Sequence, residues 1–277
     1  MNKFADLHMH TYFSDGTSSP EEVVEESLKA RLSCIAITDH DTVEGVAATM
    51  AAARDKELEV ISGIELSTEY EGKDIHILGY LIDHRSPVLL EKIRHIQQAR
   101  IMRIQQMIDK LKEHGIDDIG LEEVCALTES NSVGRPHLAS VLVKKKWVTN
   151  IKSAFDKYLG EGCPAYISKY KMTPVEGIDL IRGCGGVSVM AHPMSTNKDE
   201  VIPQLVNWGL QGLEVFYPNY SNTTIEYYKN LAKKHGLLMT GGSDAHGSNK
   251  DNTYIGKAQV PYEYVEQLKE RAAANKR

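Results

Sequence analysis

Short apolar runs rich in β-branched residues recur in the first and last thirds of the chain, with helical patterns between them. Such runs are typical of strands buried on both faces, and their alternation with helices predicts parallel strands. Seven strands in this pattern favour a barrel or a strongly curled sheet. The runs are FADLHMH (4 to 10), CIAITDH (34 to 40), VISGIEL (60 to 66), DIHILGYL (74 to 81), GVSVMAHP (186 to 193), LEVFY (213 to 217) and LLMTGGSDAH (237 to 246).

Two helices between these runs carry clear start signals. Ser19, followed by Pro20 and Glu22, combines a capping serine, a proline at the first helical position and a capping-box glutamate. Thr173, Pro174 and Glu176 repeat the same device. Both segments are therefore predicted to begin a helix at the proline.

The strand pattern disappears between residues 86 and 164, where the apolar positions follow a helical period. The apolar face of one long amphipathic helix is formed by Leu89, Ile93, Ile96, Ile104, Met107, Ile108 and Leu111. We predict a barrel domain made of residues 1–85 and 165–277. Residues 86–164 form a helical insertion that covers the mouth of the active site.

Composition narrows the function classes. The chain has 277 residues and a formal net charge of -6, which gives no global footprint for binding duplex DNA. No apolar stretch approaches the length of a membrane span or the core of a secretion signal. Four cysteines without a paired spacing fit a reducing compartment, so we expect a cytoplasmic protein. The oligomeric state is open.

Histidines and acidic residues lie at the ends of the predicted strands. His8 and His10 are two residues apart on one strand, so their side chains leave the same face. Asp244 and His246 repeat this spacing after the last run. The carboxyl ends of strands in α/β barrels form one face, where active sites lie. Nine residues are candidate metal ligands: His8, His10, Asp15, His40, Glu65, His76, His192, Asp244 and His246.

Imidazole nitrogens and carboxylate oxygens suit zinc, iron or manganese. Nine ligands exceed the needs of one ion, which indicates two or three divalent ions with a bridging carboxylate. Such ions can activate water and stabilise both oxygens of a phosphoryl displacement. The ordinary alternatives are that His76 is a core histidine and that His192, before Pro193, is a turn residue.

These motifs resemble those of the PHP (polymerase and histidinol phosphatase) family. The resemblance is carried by DLHMHTYFSDGT (6 to 17), ITDHDT (37 to 42), GIE (63 to 65), AHP (191 to 193) and GGSDAH (241 to 246). It implies an α/β fold, a distorted (β/α)7 barrel, with a trinuclear metal centre bridged by Glu65. By motif, the first site comprises His8, His10, Glu65 and Asp244, the second Asp15, His40 and His246, and the third Glu65, His76 and His192.

Departures and flanking residues refine this picture. Some relatives have histidine where this chain has Asp15, and an oxygen ligand there shifts the preference towards manganese or iron. Asp6 and Asp39 flank predicted ligands and are expected to orient imidazole rings by accepting their remaining N–H. Glu65 and Asp244 are also expected to be essential for catalysis.

Within the family, the helical insertion and the segment Gly134-Arg135-Pro136-His137 resemble a subgroup that hydrolyses nucleoside 3',5'-bisphosphates and degrades short oligoribonucleotides from the 5' end. Arg135 would bind a substrate phosphate, His192 would assist in this, and His137 would bind phosphate or protonate the leaving oxygen. The alternatives are a surface salt bridge for Arg135 and a helix cap for His137.

Three other functions remain open. The same ligands could serve a histidinol phosphate type of phosphomonoesterase, or a related barrel that cleaves C–N or C–O bonds. A non-catalytic barrel that binds nucleic acid or a protein partner is the alternative from another class. Because every position of the ligand set is filled by a competent residue, an enzyme is favoured over a binding module. The insertion and Arg135 favour hydrolysis of a phosphorylated nucleotide or short RNA, which is the leading hypothesis.

Overall fold

The computed structural model describes residues 3–168, 170, 172–249 and 254–276. Each of the seven predicted runs contains a strand, and the strands form one sheet in the order β7-β6-β5-β4-β3-β2-β1-β8. The strands are Phe4–Met9 (β1), Cys34–Ile37 (β2), Glu59–Tyr70 (β3), Lys73–Tyr80 (β4), Val187–Met190 (β5), Gly212–Phe216 (β6), Leu238–Gly241 (β7) and Val260–Pro261 (β8). The two-residue strand β8 was not predicted.

Strand β4 departs from the parallel arrangement. It pairs antiparallel with both β3 and β5, so the prediction of seven parallel strands is wrong at this position. The reason is the short connection between β3 and β4, because a parallel crossover needs a dozen or more residues. Glu71 and Gly72 form that connection with φ angles of 49° and 75°, which the tight reversal requires.

The sheet closes through the loop that follows β7. The His10 amide donates to the Ala245 carbonyl at 3.0 Å, and the Asp244 amide donates to the His8 carbonyl at 2.8 Å. Gly242 allows this close approach, since a Cβ at that position would overlap the backbone of His8. The fold is thus a distorted (β/α)7 barrel, with β8 added antiparallel to the start of β1.

The helices begin where the capping signals indicated. Ser19 accepts from the Glu22 amide and Thr173 from the Glu176 amide, each within a capping box. The helices are Pro20–Lys29 (α1), Glu44–Ala52 (α2), Pro87–Glu113 (α3), Leu121–Cys125 (α4), Arg135–Lys144 (α5), Ile151–Ala154 (α6), Pro174–Gly183 (α7), Pro193–Thr196 (α8), Ile202–Asn207 (α9), Asn222–Lys234 (α10) and Glu263–Asn275 (α11), and a π-helical turn spans Phe155–Leu159.

Helix α3 connects two hydrophobic cores. Its first turns bury Leu89, Ile93 and Ile96 in the core of the barrel. Its later turns bury Ile104 and Leu111 in a second cluster with α4, α5 and the π-helical turn. One continuous helix therefore contributes to both cores. Among the described helices, none is both long enough and apolar enough to span a membrane.

Candidate metal centre

The side chains of all nine predicted ligand residues converge at one end of the barrel. They come from β1 (His8), its following loop (His10, Asp15), the segment after β2 (His40), β3 (Glu65), β4 (His76), the segment after β5 (His192) and the loop after β7 (Asp244, His246). Three groups of donor atoms lie within 4.8 Å of one another: His10, Asp15, His40 and His246; His8, His10 and Glu65; His40, Glu65 and His76.

Glu65 lies at the centre of this cluster. Its Oε2 is 3.1 Å from Nε2 of His8 and 3.2 Å from Nε2 of His10. The same oxygen is 3.3 Å from Nδ1 of His40. Its Oε1 is 2.7 Å from Nδ1 of His76 and 3.1 Å from Nε2 of His192. One buried carboxylate therefore faces five imidazole rings, a position suited to a bridging ligand.

Two further carboxylates flank the histidines. Asp244 Oδ1 lies 3.3 Å from Nε2 of His10 and 3.4 Å from Nδ1 of His246. Asp15 Oδ1 lies 3.3 Å from Nε2 of His246, and its Oδ2 lies 4.0 Å from Nε2 of His40. His246 and His10 thus link the group around Asp15 to the group around Glu65.

The electrostatics favour ionised carboxylates. Burial alone would raise the pKa of Glu65, but the neighbouring imidazoles of His40, His8 and His76 outweigh it and hold the pKa well below its usual range. His246 and His40 lower the pKa of buried Asp15 in the same way. The surrounding imidazoles therefore hold these buried carboxylates in their ionised form.

Several buried ring nitrogens of the cluster have no hydrogen-bond partner. Within the described part of the chain, both ring nitrogens of His10, Nδ1 of His40 and Nδ1 of His192 are buried without a hydrogen-bond partner. Burial lowers the pKa of His40 to about 3, whereas, against the effect of burial, Glu214 and Glu65 raise the pKa of His8, and Asp244 and Glu65 raise that of His10 to about 9. Imidazoles and carboxylates, without a thiol in the cluster, form a donor set that fits first-row divalent ions.

Two of these residues adopt backbone angles that are rare outside glycine. His192 has a φ of 26° and Asp244 a φ of 51°. Each such conformation costs of order 1–3 kcal/mol and persists only when the surroundings hold it. His192 lies shortly after β5 and faces Glu65, and Asp244 lies shortly after β7 and faces His10.

Comparison with known proteins assigns the family. The profile of the PHP domain matches residues 6–275. The chain belongs to the PHP domain family. A 5'-3' exoribonuclease from Haemophilus influenzae is 32% identical over 251 residues, which are 89% of this chain and 91% of that protein. A 3',5'-nucleoside bisphosphate phosphatase from Chromobacterium violaceum is 31% identical over 261 residues, 92% of this chain and 91% of that protein.

The fold agrees with this assignment. A solved structure assigned as a metal-dependent phosphoesterase, from Bifidobacterium adolescentis, superimposes with a TM-score of 0.87 at 30% identity and covers 96% of both chains. The match spans the barrel and the helical insertion alike. This PHP domain is therefore a metal-dependent phosphoric ester hydrolase, and its cluster of histidines and carboxylates has the donor groups that divalent metal needs.

Two residues that sequence reasoning missed support the centre of this PHP domain. Glu214, fully buried on β6, accepts from Nδ1 of His8 at 2.9 Å and from the His192 amide at 2.6 Å. Tyr217 donates to Asp244 Oδ2 at 2.5 Å. A charged residue in the apolar run LEVFY was the available signal for Glu214.

The expected role of Asp6 and Asp39 is wrong. The Asp6 carboxylate accepts from the Ser243 and Gly256 amides at 2.8 Å each. Asp39 accepts from the Thr11 amide at 2.7 Å and from the Thr11 and Ser14 hydroxyls at 2.8 and 2.7 Å. Both carboxylates order the loops that carry ligands, whereas Glu214 is the residue that accepts the N–H of an imidazole.

Arg135 begins α5 and lies on the wall of a cavity beside the cluster. The cavity, of about 210 Å³, is lined among others by His40, His76 and Arg103. The Arg135 guanidinium lies over the Phe155 ring, 5.4 Å from its centroid. The alternative of a surface salt bridge finds no support, because the ion pairs of the described residues do not include Arg135.

His137 also lines this cavity, but both of its ring nitrogens are engaged by the backbone. Nδ1 accepts from the Gly134 amide at 2.9 Å, and Nε2 donates to the Ser14 carbonyl at 2.9 Å. This is the geometry of a helix cap. With both nitrogens occupied, the predicted role in phosphate binding or leaving-group protonation has no free atom in this arrangement.

Replacing Glu214 with glutamine tests its supporting role. The amide keeps the shape but removes the charge that faces His8, so we expect the affinity for Mn²⁺ to fall on the order of 10- to 100-fold. Isothermal titration calorimetry measures this affinity. Glu226→Gln, at an exposed glutamate of α10 that pairs with Lys229, is the matched control. Unchanged affinity in Glu214→Gln would contradict the role.

Proposed function

We propose that this PHP domain hydrolyses phosphate esters of small nucleotides, 3',5'-nucleoside bisphosphates in particular, and removes nucleotides from the 5' end of short oligoribonucleotides. The observation that carries the proposal is an arginine-lined cavity directly beside the cluster around Glu65. An ester bond can reach the cluster while a second phosphate lies among the arginines. The names of the two relatives support this substrate class.

The cluster would hold two or three divalent ions, with manganese, iron and zinc as the candidates. His8, His10, Glu65 and Asp244 would bind one ion. Asp15, His40 and His246 would bind a second, and His76 and His192 would bind a third with Glu65. When bound, such ions polarise a phosphoryl oxygen and lower the pKa of a coordinated water. The donor atoms also group in two other ways: His10 lies with Asp15, His40 and His246, and His40 lies with Glu65 and His76.

The arginines supply the charge for a second phosphate. Burial, followed by the neighbouring charges of Arg135 and Arg100, lowers the pKa of Arg103 to about 10. Arg100 is paired with Asp41, which leaves Arg103 and Arg135 as the cations on the cavity wall. A phosphate dianion between them would relieve their repulsion, and the planar guanidinium matches the geometry of its oxygens.

Side chains of the cluster and of the cavity would each have a role during hydrolysis. Glu65 and Asp244 fix the imidazoles by charge, and Tyr217 holds Oδ2 of Asp244 so that Oδ1 faces the histidines. Arg135 orients the substrate through a phosphate remote from the bond that breaks. Placing the ester against the cluster in this way supplies the proximity that an in-line displacement needs.

A comparison of substrates tests the proposal. The enzyme, loaded separately with manganese, iron and zinc, is assayed with adenosine 3',5'-bisphosphate, short 5'-phosphorylated RNA, histidinol phosphate and an amide substrate. We expect the highest kcat/KM with the bisphosphate or the RNA, and loss of that activity after chelation. Preference for histidinol phosphate or the amide, or turnover that survives metal depletion, would contradict the proposal.

Arg135→Gln tests the binding of the second phosphate. Loss of a charge-assisted contact of about 1.5–3 kcal/mol predicts a KM for adenosine 3',5'-bisphosphate that rises roughly 10- to 100-fold. The KM for p-nitrophenyl phosphate, which has one phosphate, should change little. Arg182→Gln, at an exposed arginine paired with Asp179, is the matched control. Equal loss with both substrates would show that Arg135 does not discriminate between them.

A further inference from the structure

A segment of the insertion, residues 128–137, contacts the loop that follows β1. It donates hydrogen bonds to three consecutive carbonyls of that loop, immediately before Asp15. The bonds run from the Thr128 hydroxyl to the Tyr12 carbonyl (3.1 Å), from the Glu129 amide to the Tyr12 carbonyl (3.1 Å), from the Ser130 hydroxyl to the Phe13 carbonyl, and from Nε2 of His137 to the Ser14 carbonyl (2.9 Å). The backbone that carries Asp15 is thus held from the insertion.

The same segment holds the loop that carries His40. The Ser132 hydroxyl donates to the His40 carbonyl. Arg100, on α3, pairs with the Asp41 carboxylate, while its Nη1 donates to the Val133 carbonyl at 3.4 Å. Asp41 has a φ of 49°, an uncommon conformation for a residue other than glycine. The insertion therefore fixes the turn directly after His40.

The third member of this group, His246, is tied to the same loop. Its carbonyl accepts from the Thr17 amide at 3.2 Å. Asp15, His40 and His246 are the proposed ligands of the second ion, and they are called the second subsite here. Two of its three side chains lie on loops that the insertion contacts directly, and the third is linked through the loop containing Thr17.

Residues 128–137 also form hydrogen bonds with one another. The Gly134 amide donates to Nδ1 of His137, which leaves the proton on Nε2, where it reaches the Ser14 carbonyl. The Ser130 hydroxyl accepts from the Ser132 amide at 3.0 Å. Ser130, Ser132 and His137 are all buried. Swinging this segment away would leave these groups and the carbonyls they bind without partners, which is unfavourable in a buried site.

The other ligands are held differently. His8 lies in β1 and His10 directly follows it, both bonded to the loop after β7, and Glu65 lies within the ladder of β3 and β4. Strand pairing of the barrel supplies their positions. The loops of the second subsite are bonded to the barrel as well, through Asp39 and through the Asp41 amide, which donates to the Glu65 carbonyl, but they are the part of the centre that the insertion also contacts.

We propose that residues 128–137 and Arg100 position Asp15 and His40 for the ion of the second subsite, and that this part of the insertion stays docked instead of opening as a lid. The inference rests on the metal centre of the proposed function. It assigns Ser130, Ser132, His137 and Arg100 as positioning residues that act through the two loops.

The double variant Ser130→Ala/Ser132→Ala removes two of these donors with little change in volume. Equilibrium dialysis against limiting MnCl₂, followed by elemental analysis, should show one fewer ion per chain than in the wild type. At about tenfold higher MnCl₂ the full number of ions and kcat should return, with KM for adenosine 3',5'-bisphosphate unchanged. Ser132→Ala alone gives a smaller effect of the same kind if the double variant is unstable.

Ser140→Ala is the matched control. Its hydroxyl donates to the Pro136 carbonyl within α5 and contacts neither loop, so metal content should equal that of the wild type. Wild-type metal content and affinity in Ser130→Ala/Ser132→Ala would overturn the inference. A faster kcat with raised KM would also overturn it, since that is the result expected of a lid. A wild-type protein that binds no metal would overturn the metal centre and the inference with it.

Hydrogen exchange on the manganese-loaded wild type gives a second readout. The Glu129 amide bonds to the Tyr12 carbonyl, and the Gly134 amide bonds to the His137 ring. Both amides should be protected without substrate, and inorganic phosphate should not increase their protection. Rapid exchange that phosphate suppresses would indicate an opening segment and would overturn the inference.

Discussion

The ionised Glu65 carboxylate, buried among five imidazole rings, is the constraint on which the rest of the molecule depends. A lone carboxylate in such a site is strongly disfavoured, and only close positive or polar partners keep it charged. The imidazoles come from four different strand ends, so the barrel must close with the correct register for the charge to be compensated. The hairpin of β3 and β4 contributes directly, since it brings His76 within 2.7 Å of the carboxylate.

Around this centre lie residues that hold the predicted metal ligands in place without being ligands themselves. Glu214 connects His8 to the backbone of His192, and Tyr217 selects the oxygen that Asp244 offers. His192 and Asp244 keep rare backbone angles because these contacts hold them. On the side of Asp15 and His40, residues of the insertion donate hydrogen bonds to the two loops that carry these side chains. The stability of the fold and the geometry of the metal ligands are therefore coupled, because the same groups order the loops and the ligands that the loops carry.

Much of this could be predicted from the sequence, for identifiable reasons. Buried strands keep continuous apolar runs, and six runs carry ligands at or near their ends, so both the strands and the ligands stood out. The direction of the strands could not be predicted in the same way, because an apolar run looks the same in a parallel and an antiparallel strand. Only the two-residue turn at Glu71 and Gly72 determines the direction of β4. Strand β8, with two residues, is too short to leave a pattern.

Contacts between distant residues were the other limit. No local sequence pattern shows that both nitrogens of the His137 ring bond to Gly134 and Ser14, or that Arg100 pairs with Asp41 across 59 positions.

Diffraction from manganese-soaked crystals, with anomalous data at the manganese edge, tests the central claim most directly. The account predicts anomalous peaks within coordination distance of both Glu65 oxygens. A map in which manganese is absent, or bound without contact to Glu65, would contradict it.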